Sequence, residues 1–441
     1  MKVRVRYAPS PTGLQHVGSV RTALFNYFFA KSQGGTFVLR IEDTDRTRFH
    51  LHALEDIYEI FSWLGIQWDE GPDVGGDYGP YIQSERSDTY TVYAQKLISI
   101  GKAYISQEEH AGKSSHVVRL RLPSKEQRIS FHDVLLGRIT YSCKDLLQDP
   151  VLIKSDGNPT YHFANVVDDH LMCISHVMRS QEWIPSTPLH VILYQAFQWK
   201  TPIFCHLPLV LGADGQKLSK RNDAMNIRGL REVGYLPEAL VNCIVLLGYA
   251  YNEKTTVLDR HILEKLFSLS SLNKSPSVFD PKKLDWFNNY YIQKLSDYQL
   301  LTLIQEQLER YDWHINQKKV EYLLSLLRPR LKRLADVRDL LRPLVQSPDV
   351  SGLSCTYPEI VKGIEKILLA HWQEDEQTLV AEFRDLAERY TLSLGACIME
   401  LRKAITGEKV SLPIFSLCKA LGKKQTVQRI AHYMSMYEKQ H

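Results

Sequence analysis

About forty residues at the N-terminus leave this chain little choice of fold, because strand, turn, helix and strand follow one another directly. Val3, Val5 and Tyr7 alternate with charged residues as in a half-buried strand, and the run Ala8-Pro9-Ser10-Pro11-Thr12-Gly13 breaks it. From Gly18 the segment SVRTALFNYFFAKSQ has helical apolar spacing through Ala23, Leu24, Tyr27 and Phe28, and Gly34-Gly35 closes it. Thr36–Ile41 then reads as a second strand. Two strands joined by a helix favour a right-handed parallel crossover, the start of a doubly wound α/β sheet.

The rest of the chain extends this rhythm and then abandons it. Residues 53–65 and 87–100 read as helices around a turn-rich loop at 71–81, whereas 101–160 holds short β-rich runs such as Val117–Leu122 and reads as an inserted subdomain. The βα alternation returns at 161–210, helical near 161–170 and 186–198 and extended near 173–178 and 203–210. After residue 223 helices dominate, and from 296 to 441 the pattern is amphipathic helix throughout, with no internal repeat. At 441 residues the chain has room for two to four domains.

Composition excludes several classes. With 54 basic against 50 acidic residues, the net charge of +4 is too small to hold a polyanion, so nucleic acid must bind through local patches. The 7 cysteines stand singly with no C-x-x-C pair, which argues against a disulfide framework and against a sulfur-rich zinc site and predicts reduced, mostly buried thiols. No run approaches the ~18 apolar residues of a membrane span. The N-terminus alternates charge with valine where a signal peptide needs an apolar block, so a cytoplasmic protein without membrane contact is expected.

Two stretches carry the chemistry. Pro9-Ser10-Pro11-Thr12-Gly13 leads to His16-Val17-Gly18-Ser19 at a helix start, where N–H groups and the positive dipole end favour phosphate and an imidazole adds a donor. Gly18 there lets a flat base approach the backbone. The second is Lys217-Leu218-Ser219-Lys220-Arg221 behind the turn Gly212–Gly215, whose cations suit charge building up on a transferring phosphoryl group.

The order and spacing of the two stretches resemble the paired signatures of class I aminoacyl-tRNA synthetases. RYAPSPTG at 6–13, RTALFNY at 21–27, RIEDTDR at 40–46, DEGPDVGG at 69–76, YIQSER at 81–86, YHFANVVDDHLM at 161–172 and FDPKKLDWFNNYYI at 279–292 narrow the likeness to the bacterial glutamyl-tRNA synthetase family. The likeness is dense through 1–295 and looser to 441. It departs from the family pattern in Ser19, in the ending KLSKR, and in a segment at 101–160 that is shorter than the family's acceptor-end subdomain and has no zinc knuckle.

The resemblance implies an α/β fold: a Rossmann-like doubly wound parallel sheet with an inserted α+β subdomain, followed by all-α C-terminal domains. It implies a catalytic domain at 1–84 and 161–222, a shortened acceptor-end insert at 85–160, a helical connecting domain at 223–295, and an anticodon-binding region at 296–441 divided near 370. By the same resemblance Arg6 faces the glutamate side-chain carboxylate, Arg179 the reacting α-carboxylate, Glu42 and Ser10 the ammonium, and Ala8, Tyr161 and Asn165 line the pocket. His16, Lys217 and Lys220 are the expected catalytic cations and donors. Gly18, Glu182, Leu211, Leu218, Ser219 and Arg221 join them around ATP carried with Mg2+.

Charge alone makes that assignment sensible. A free amino acid with two carboxylates and one ammonium needs a fixed anion and fixed cations, and the arginine fork matches a planar carboxylate. For tRNA, the basic cluster Arg328, Arg330, Lys332, Arg333, Arg338 and Arg342 supplies phosphate contacts. A rival reading groups His162, Asp168, Asp169, His170 and His176 as metal ligands, but their spacing does not put them on one helix face, so no metal held by protein alone is expected, and no zinc. The expected activity is ATP-dependent glutamylation of tRNA-Glu, with tRNA-Gln as a possible second acceptor, by a monomer. The alternatives are a glutamyl-queuosine tRNA-modifying synthetase and an inactive tRNA-binding paralogue.

Overall fold

The protein is represented by a computed structural model that describes residues 2–44, 51–110, 113–146, 148–216, 226–251, 257–350 and 352–438. It divides into two compact units, Met1–Glu232 with Pro237–Phe287, and Val233–Leu236 with Asn288–His441. The division therefore crosses the helix Pro281–Lys294 between Phe287 and Asn288, earlier than the expected boundary at 295.

In the first unit the strand Arg4–Tyr7 pairs in parallel with Thr36–Leu39, Arg4 opposite Thr36 and Tyr7 opposite Leu39. The helix Val17–Ser32 makes the crossover, and Gly34 takes the left-handed conformation, φ +56°, that ends it. This helix is buried almost all round, at Val17, Val20, Arg21 and from Ala23 to Ala30, because helices Pro237–Val245 and Arg260–Leu266 cover the side that faces away from the strands. On the other flank the Ser175 N–H donates to the Arg4 carbonyl at 2.9 Å, which sets the strand His176–Ser180 beside the first, and Ile203–Leu207 pairs with it in parallel.

The expected insert is less separate than its sequence suggests. Strand Arg128–Asp133 joins Ile203–Leu207 in parallel, with Asp133 opposite Phe204, and returns antiparallel as Gly137–Ser142. Only Ala103–His110, Lys113–Leu120 and Val151–Ile153 form a sheet of their own. Tyr90, Leu97, Leu120 and Leu152 share one apolar core with Phe163, Val166 and Leu193. Each such side chain contributes about 1.5–3 kcal/mol on burial, so this segment and the parallel sheet stabilise each other.

The second unit is helical. Asn288 fastens its first segment: Oδ1 accepts from Leu236 N–H at 2.7 Å, and Nδ2 donates to the carbonyls of Gly234 at 3.1 Å and Lys332 at 2.7 Å. Gly234 is at φ +88° with Leu334 so close that a Cβ would meet it at 2.5 Å, so only glycine fits there. Helices Asp297–Arg310, Gln317–Leu327 and Val337–Val345 make one group, and Pro358–Ala370, Glu376–Arg389, Leu394–Thr406, Ile414–Leu421 and Lys423–Glu438 another. Ile360, Ile364 and Leu368 share one core with Phe383, Leu401, Phe415 and Ile430, so a division near 370 would cut a core in half.

Six of the 7 cysteines are buried, Cys173 is exposed, and all are free thiols. Among the described residues no helix is long and apolar enough to cross a membrane.

Candidate active site

The C-terminal ends of the parallel strands open onto a cavity of about 620 Å³. Its wall brings together Arg6, Ala8, Ser10, His16, Gly18, Glu42, Tyr161, Asn165, Arg179 and Glu182, residues drawn from five separate stretches of the sequence. The Glu42 N–H donates to the Pro9 carbonyl at 3.0 Å, which fastens the proline turn to the end of the second strand.

His16 is the N-cap of the helix Val17–Ser32. Its Nδ1 accepts from the N–H groups of Gly18 at 3.1 Å and Ser19 at 3.2 Å, while Ser19 Oγ accepts from His16 N–H at 3.0 Å, a reciprocal capping box. Two helix-start N–H groups expected to face a phosphate are thus turned to the imidazole. Because Nδ1 accepts, the ring proton sits on Nε2, and the ring carries the donor function. A Cβ on Gly18 would lie 3.2 Å from this ring, so its lack of a side chain makes room for His16 itself as well as for a ligand.

Deeper in, charges are matched closely. Asp169 receives Arg6 Nε at 3.0 Å and Nη2 at 3.3 Å, and Arg40 Nη1 at 2.8 Å. Asp168 receives Arg86 Nε at 2.7 Å, Gln83 Nε2 at 2.9 Å and the Tyr90 hydroxyl at 2.8 Å. Glu42 Oε1 accepts from Arg40 Nη2 at 2.8 Å and Asn165 Nδ2 at 2.9 Å, leaving Oε2 with no donor among the described residues. Burial pushes the Glu42 pKa up against the pull of Arg40, while at Asp169 burial is outweighed by Arg6 and Arg40 and the carboxyl is held below its usual range.

Arg179 differs from these. It is 5% exposed and has no ion pair with a carboxylate among the described residues. Nε donates to His206 Nε2 at 3.1 Å and Nη2 to Thr187 Oγ1 at 3.0 Å, and Nη1 lies 3.3 Å from His190 Nδ1. Burial lowers its pKa, and burial together with this guanidinium holds His190 well below the ordinary histidine value. Arg21 is the second buried arginine in the wall without a carboxylate: it donates to the Leu247 carbonyl at 3.0 Å and to that of Pro208, and burial brings its pKa down to about 10. Two uncompensated guanidiniums in one cavity suit anionic ligands.

The side of the cavity toward Trp183 is aromatic. Tyr161 packs tilted against Trp183 with centroids 4.5 Å apart, and burial, followed by the Glu42 charge, pushes its hydroxyl up to about 12. Glu182 lies on the rim, and Leu211 ends the short strand Val210–Leu211, its carbonyl accepting from Phe279 N–H at 2.9 Å. Lys217, Leu218, Ser219, Lys220 and Arg221 lie outside the described residues.

Other candidates are placed differently from expectation. Arg328 is not a free phosphate ligand, because it donates to the carbonyls of Ile292 at 3.0 Å and Leu295 at 2.6 Å and pairs with Asp297 at 2.5 Å, closing the end of the helix Pro281–Lys294. Arg333 pairs with Asp336 at 3.3 Å, and Arg330 donates to the Leu326 carbonyl at 2.9 Å but stays exposed, as does Lys332. Of the proposed metal ligands, Asp168 and Asp169 are bound by arginines, His162 pairs with His190 at 3.0 Å, His170 stacks on Trp199, and His176 meets Ser175 at 2.8 Å. They do not converge on a point. Arg40, Asp133, Thr187, His190 and His206 were not singled out in the sequence; Arg40 at least lies within a quoted motif, whereas nothing local marks Asp133.

Comparison with known proteins agrees with this geometry. Residues 2–111 and 105–286 match the catalytic domain of the class I tRNA synthetases (E and Q), and 298–434 match an anticodon binding domain. The glutamate–tRNA ligase of Borreliella burgdorferi is 43% identical over 98% of both chains, and that of Treponema denticola 40% over 98% of both. A crystal structure of a glutamate–tRNA ligase from Elizabethkingia meningosepticum superposes with a TM-score of 0.85 at 31% identity, covering 99% of each chain. The Borreliella alignment runs over 483 positions against 441 residues here, so gaps fall on this chain, and the catalytic-domain match breaks at 105–111, inside the short three-stranded sheet. Parallel sheet, helical second unit, cavity and near full-length likeness lead to one assignment: the chain belongs to the glutamate–tRNA ligases of the class I tRNA synthetase family.

Proposed function

We propose that the cavity binds L-glutamate and MgATP and performs a two-step ligation. An oxygen of the glutamate α-carboxylate attacks the α-phosphorus of ATP, the bond to the pyrophosphate oxygen breaks, and glutamyl-adenylate forms. A ribose hydroxyl of the tRNA's terminal adenosine then attacks the acyl carbon and releases AMP. No protein nucleophile is required, so the side chains orient the reactants and balance charge. Arg179 takes the α-carboxylate, Arg6 the side-chain carboxylate, and Glu42 Oε2 with Ser10 the ammonium, while Ala8, Tyr161 and Asn165 shape the pocket.

His16 with Lys217, Lys220 and Arg221 meets the phosphates; Gly18, Glu182, Leu211, Leu218 and Ser219 complete the nucleotide site. Magnesium arrives on the ATP phosphates as part of the substrate. Arg330 and Lys332 contribute to tRNA binding more than Arg328 and Arg333. The protein works as a cytoplasmic monomer, and it glutamylates tRNA-Gln as well as tRNA-Glu at rates within about tenfold, a discrimination under ~1.4 kcal/mol.

The observation that carries the reading is the buried Arg179 with no carboxylate, beside Arg6 and Arg40, which are matched by Asp169 and Glu42. Glutamate brings net charge −1 to that surplus cation; glutamine brings none. ATP–pyrophosphate exchange and tRNA charging, each with glutamate and with glutamine, test it. Glutamate-dependent turnover is expected in both assays, and absence of tRNA charging with either amino acid would overturn the reading. A preference above a hundredfold for tRNA-Glu over tRNA-Gln would remove only the second acceptor.

A further inference from the structure

The guanidinium of Arg179 only donates, so each of its partners has to present a lone pair. For His206 Nε2 to accept, its ring proton must sit on Nδ1, and Nδ1 faces Asp133 Oδ2 at 2.8 Å. Asp133 is fully buried and held by four contacts. Oδ2 also accepts from His206 N–H at 2.9 Å, and Oδ1 accepts from Leu135 N–H at 2.9 Å and Leu136 N–H at 3.0 Å. Burial works against this carboxylate, yet the hydrogen bonds outweigh it and keep it ionised. An ionised carboxylate accepts and never donates, which fixes the tautomer of the imidazole.

We infer that Asp133 and His206 are positioning residues for glutamate: the carboxylate sets the imidazole tautomer, and the imidazole aims the guanidinium that receives the substrate α-carboxylate. The inference rests on the assignment of Arg179 made above. It gives the 85–160 segment a part in amino-acid recognition, because Asp133 ends the strand by which that segment joins the parallel sheet. Neither residue is among those lining the cavity, so both act through Arg179.

Three substitutions separate positioning from a merely structural role. In Asp133→Asn the turn N–H groups of Leu135 and Leu136 claim the amide oxygen, and the amide nitrogen turns to His206 Nδ1. The ring then carries its proton on Nε2 and opposes Arg179. In His206→Asn a donor to Asp133 survives but nothing reaches Arg179, whereas in His206→Gln the side-chain oxygen reaches the position of Nε2. Losing a hydrogen bond to a charged group predicts a rise in the KM for glutamate of about 10–100-fold in tRNA charging for Asp133→Asn and His206→Asn. The KM values for ATP and tRNA should stay within about threefold of the parent, with His206→Gln recovering most of the loss.

In an Arg179→Ala background, His206→Asn should add nothing further, since both act on one contact. Equal effects of Asn and Gln at 206, or equal rises in KM for ATP and glutamate, would overturn the inference. So would wild-type glutamate KM in Asp133→Asn and His206→Asn while Arg179→Ala raises it, and that result would leave the Arg179 assignment standing. Wild-type glutamate KM in Arg179→Ala would instead remove the assignment and the positioning role together.

Discussion

Arg6, Arg40, Arg86 and Arg179 stand inside the first unit, whereas Arg330, Arg338 and Arg342 stand on the surface of the second, with Arg328 and Arg333 half-buried beside them. In the interior a charge is costly unless matched, so three of these arginines are locked to Asp168, Asp169 and Glu42, whereas Arg179, like the buried Arg21, has no carboxylate. On the helical unit water screens each charge, and an arginine left over carries little information. There the question is which arginines already serve the chain, and Arg328 does so by closing a helix end. The contrast teaches that the availability of a cation to a ligand is set by which partners the fold leaves it.

The sharpest way to break this contrast is Arg179→Ala. Removing one partner of a buried, hydrogen-bonded charge contact costs about 2–5 kcal/mol, so kcat/KM for glutamate in tRNA charging should fall by roughly two to four orders of magnitude. The melting temperature should hold or rise, because an unmatched buried cation is lost. A large drop in melting temperature would show that Arg179 is a structural ion after all.

Arg6→Ala sharpens the same contrast from the matched side. Asp169 would keep Arg40 but lose a bidentate partner, and urea denaturation should show a loss of about 2–4 kcal/mol. Selectivity for glutamate over glutamine should fall with it, measured by charging kinetics with both amino acids. Retained stability would mean that the interior charges are not coupled as the hydrogen bonds suggest.

A third test uses pH. His162, His190 and His206 are all shifted below the ordinary histidine value, first by burial and then by Arg179 at His162 and His190; at His206 the hydrogen bond donated to Asp133 opposes the shift. The unfolded chain then binds more protons than the folded one below pH ~6.5, so stability rises with pH and is lost as pH falls through that value. Each histidine adds a slope of up to about 1.4 kcal/mol per pH unit. Denaturation midpoints from pH 7.5 down to 5.5 check it, and a flat profile would contradict neutral imidazoles around the guanidinium.

The smallest effects belong to the helical unit. Arg328→Ala should cost about 1–2 kcal/mol of stability through its lost carbonyl contacts and leave tRNA affinity within roughly threefold. Lys332→Ala should leave stability unchanged, weaken tRNA binding, and lower the slope of log K against log salt by about 1. Filter binding across a salt series distinguishes them. An inverted pattern would mean that the exposed lysine, not the tied arginine, serves the fold.

Much of the fold was legible in the sequence because it rests on local periodicity. The strand at Arg4–Tyr7, the helix from Val17 and the second strand at Thr36 fall where alternation, glycine and helical spacing put them. The site was legible as a set of residues: ten of those expected do share one cavity wall. What local pattern could not give was the state of each. His16 was expected beside free N–H groups and instead caps them, since that depends on a side-chain rotamer. Arg328 looked like its basic neighbours because nothing in RPRLKR reveals that the carbonyls of Ile292 and Leu295 lie against it.

By itself the sequence determined which elements form, in what order, and which family of active sites they build, because propensity, turn chemistry and motif spacing act between residues near in the chain. The boundary at Phe287–Asn288, the merging of 85–160 with the parallel sheet, and the relay from Asp133 through His206 to Arg179 were decided only by tertiary structure. Those three depend on contacts between residues dozens of positions apart. The sign of each, a matched charge or a surplus one, a donor or an acceptor, exists only once burial has removed water as the alternative partner.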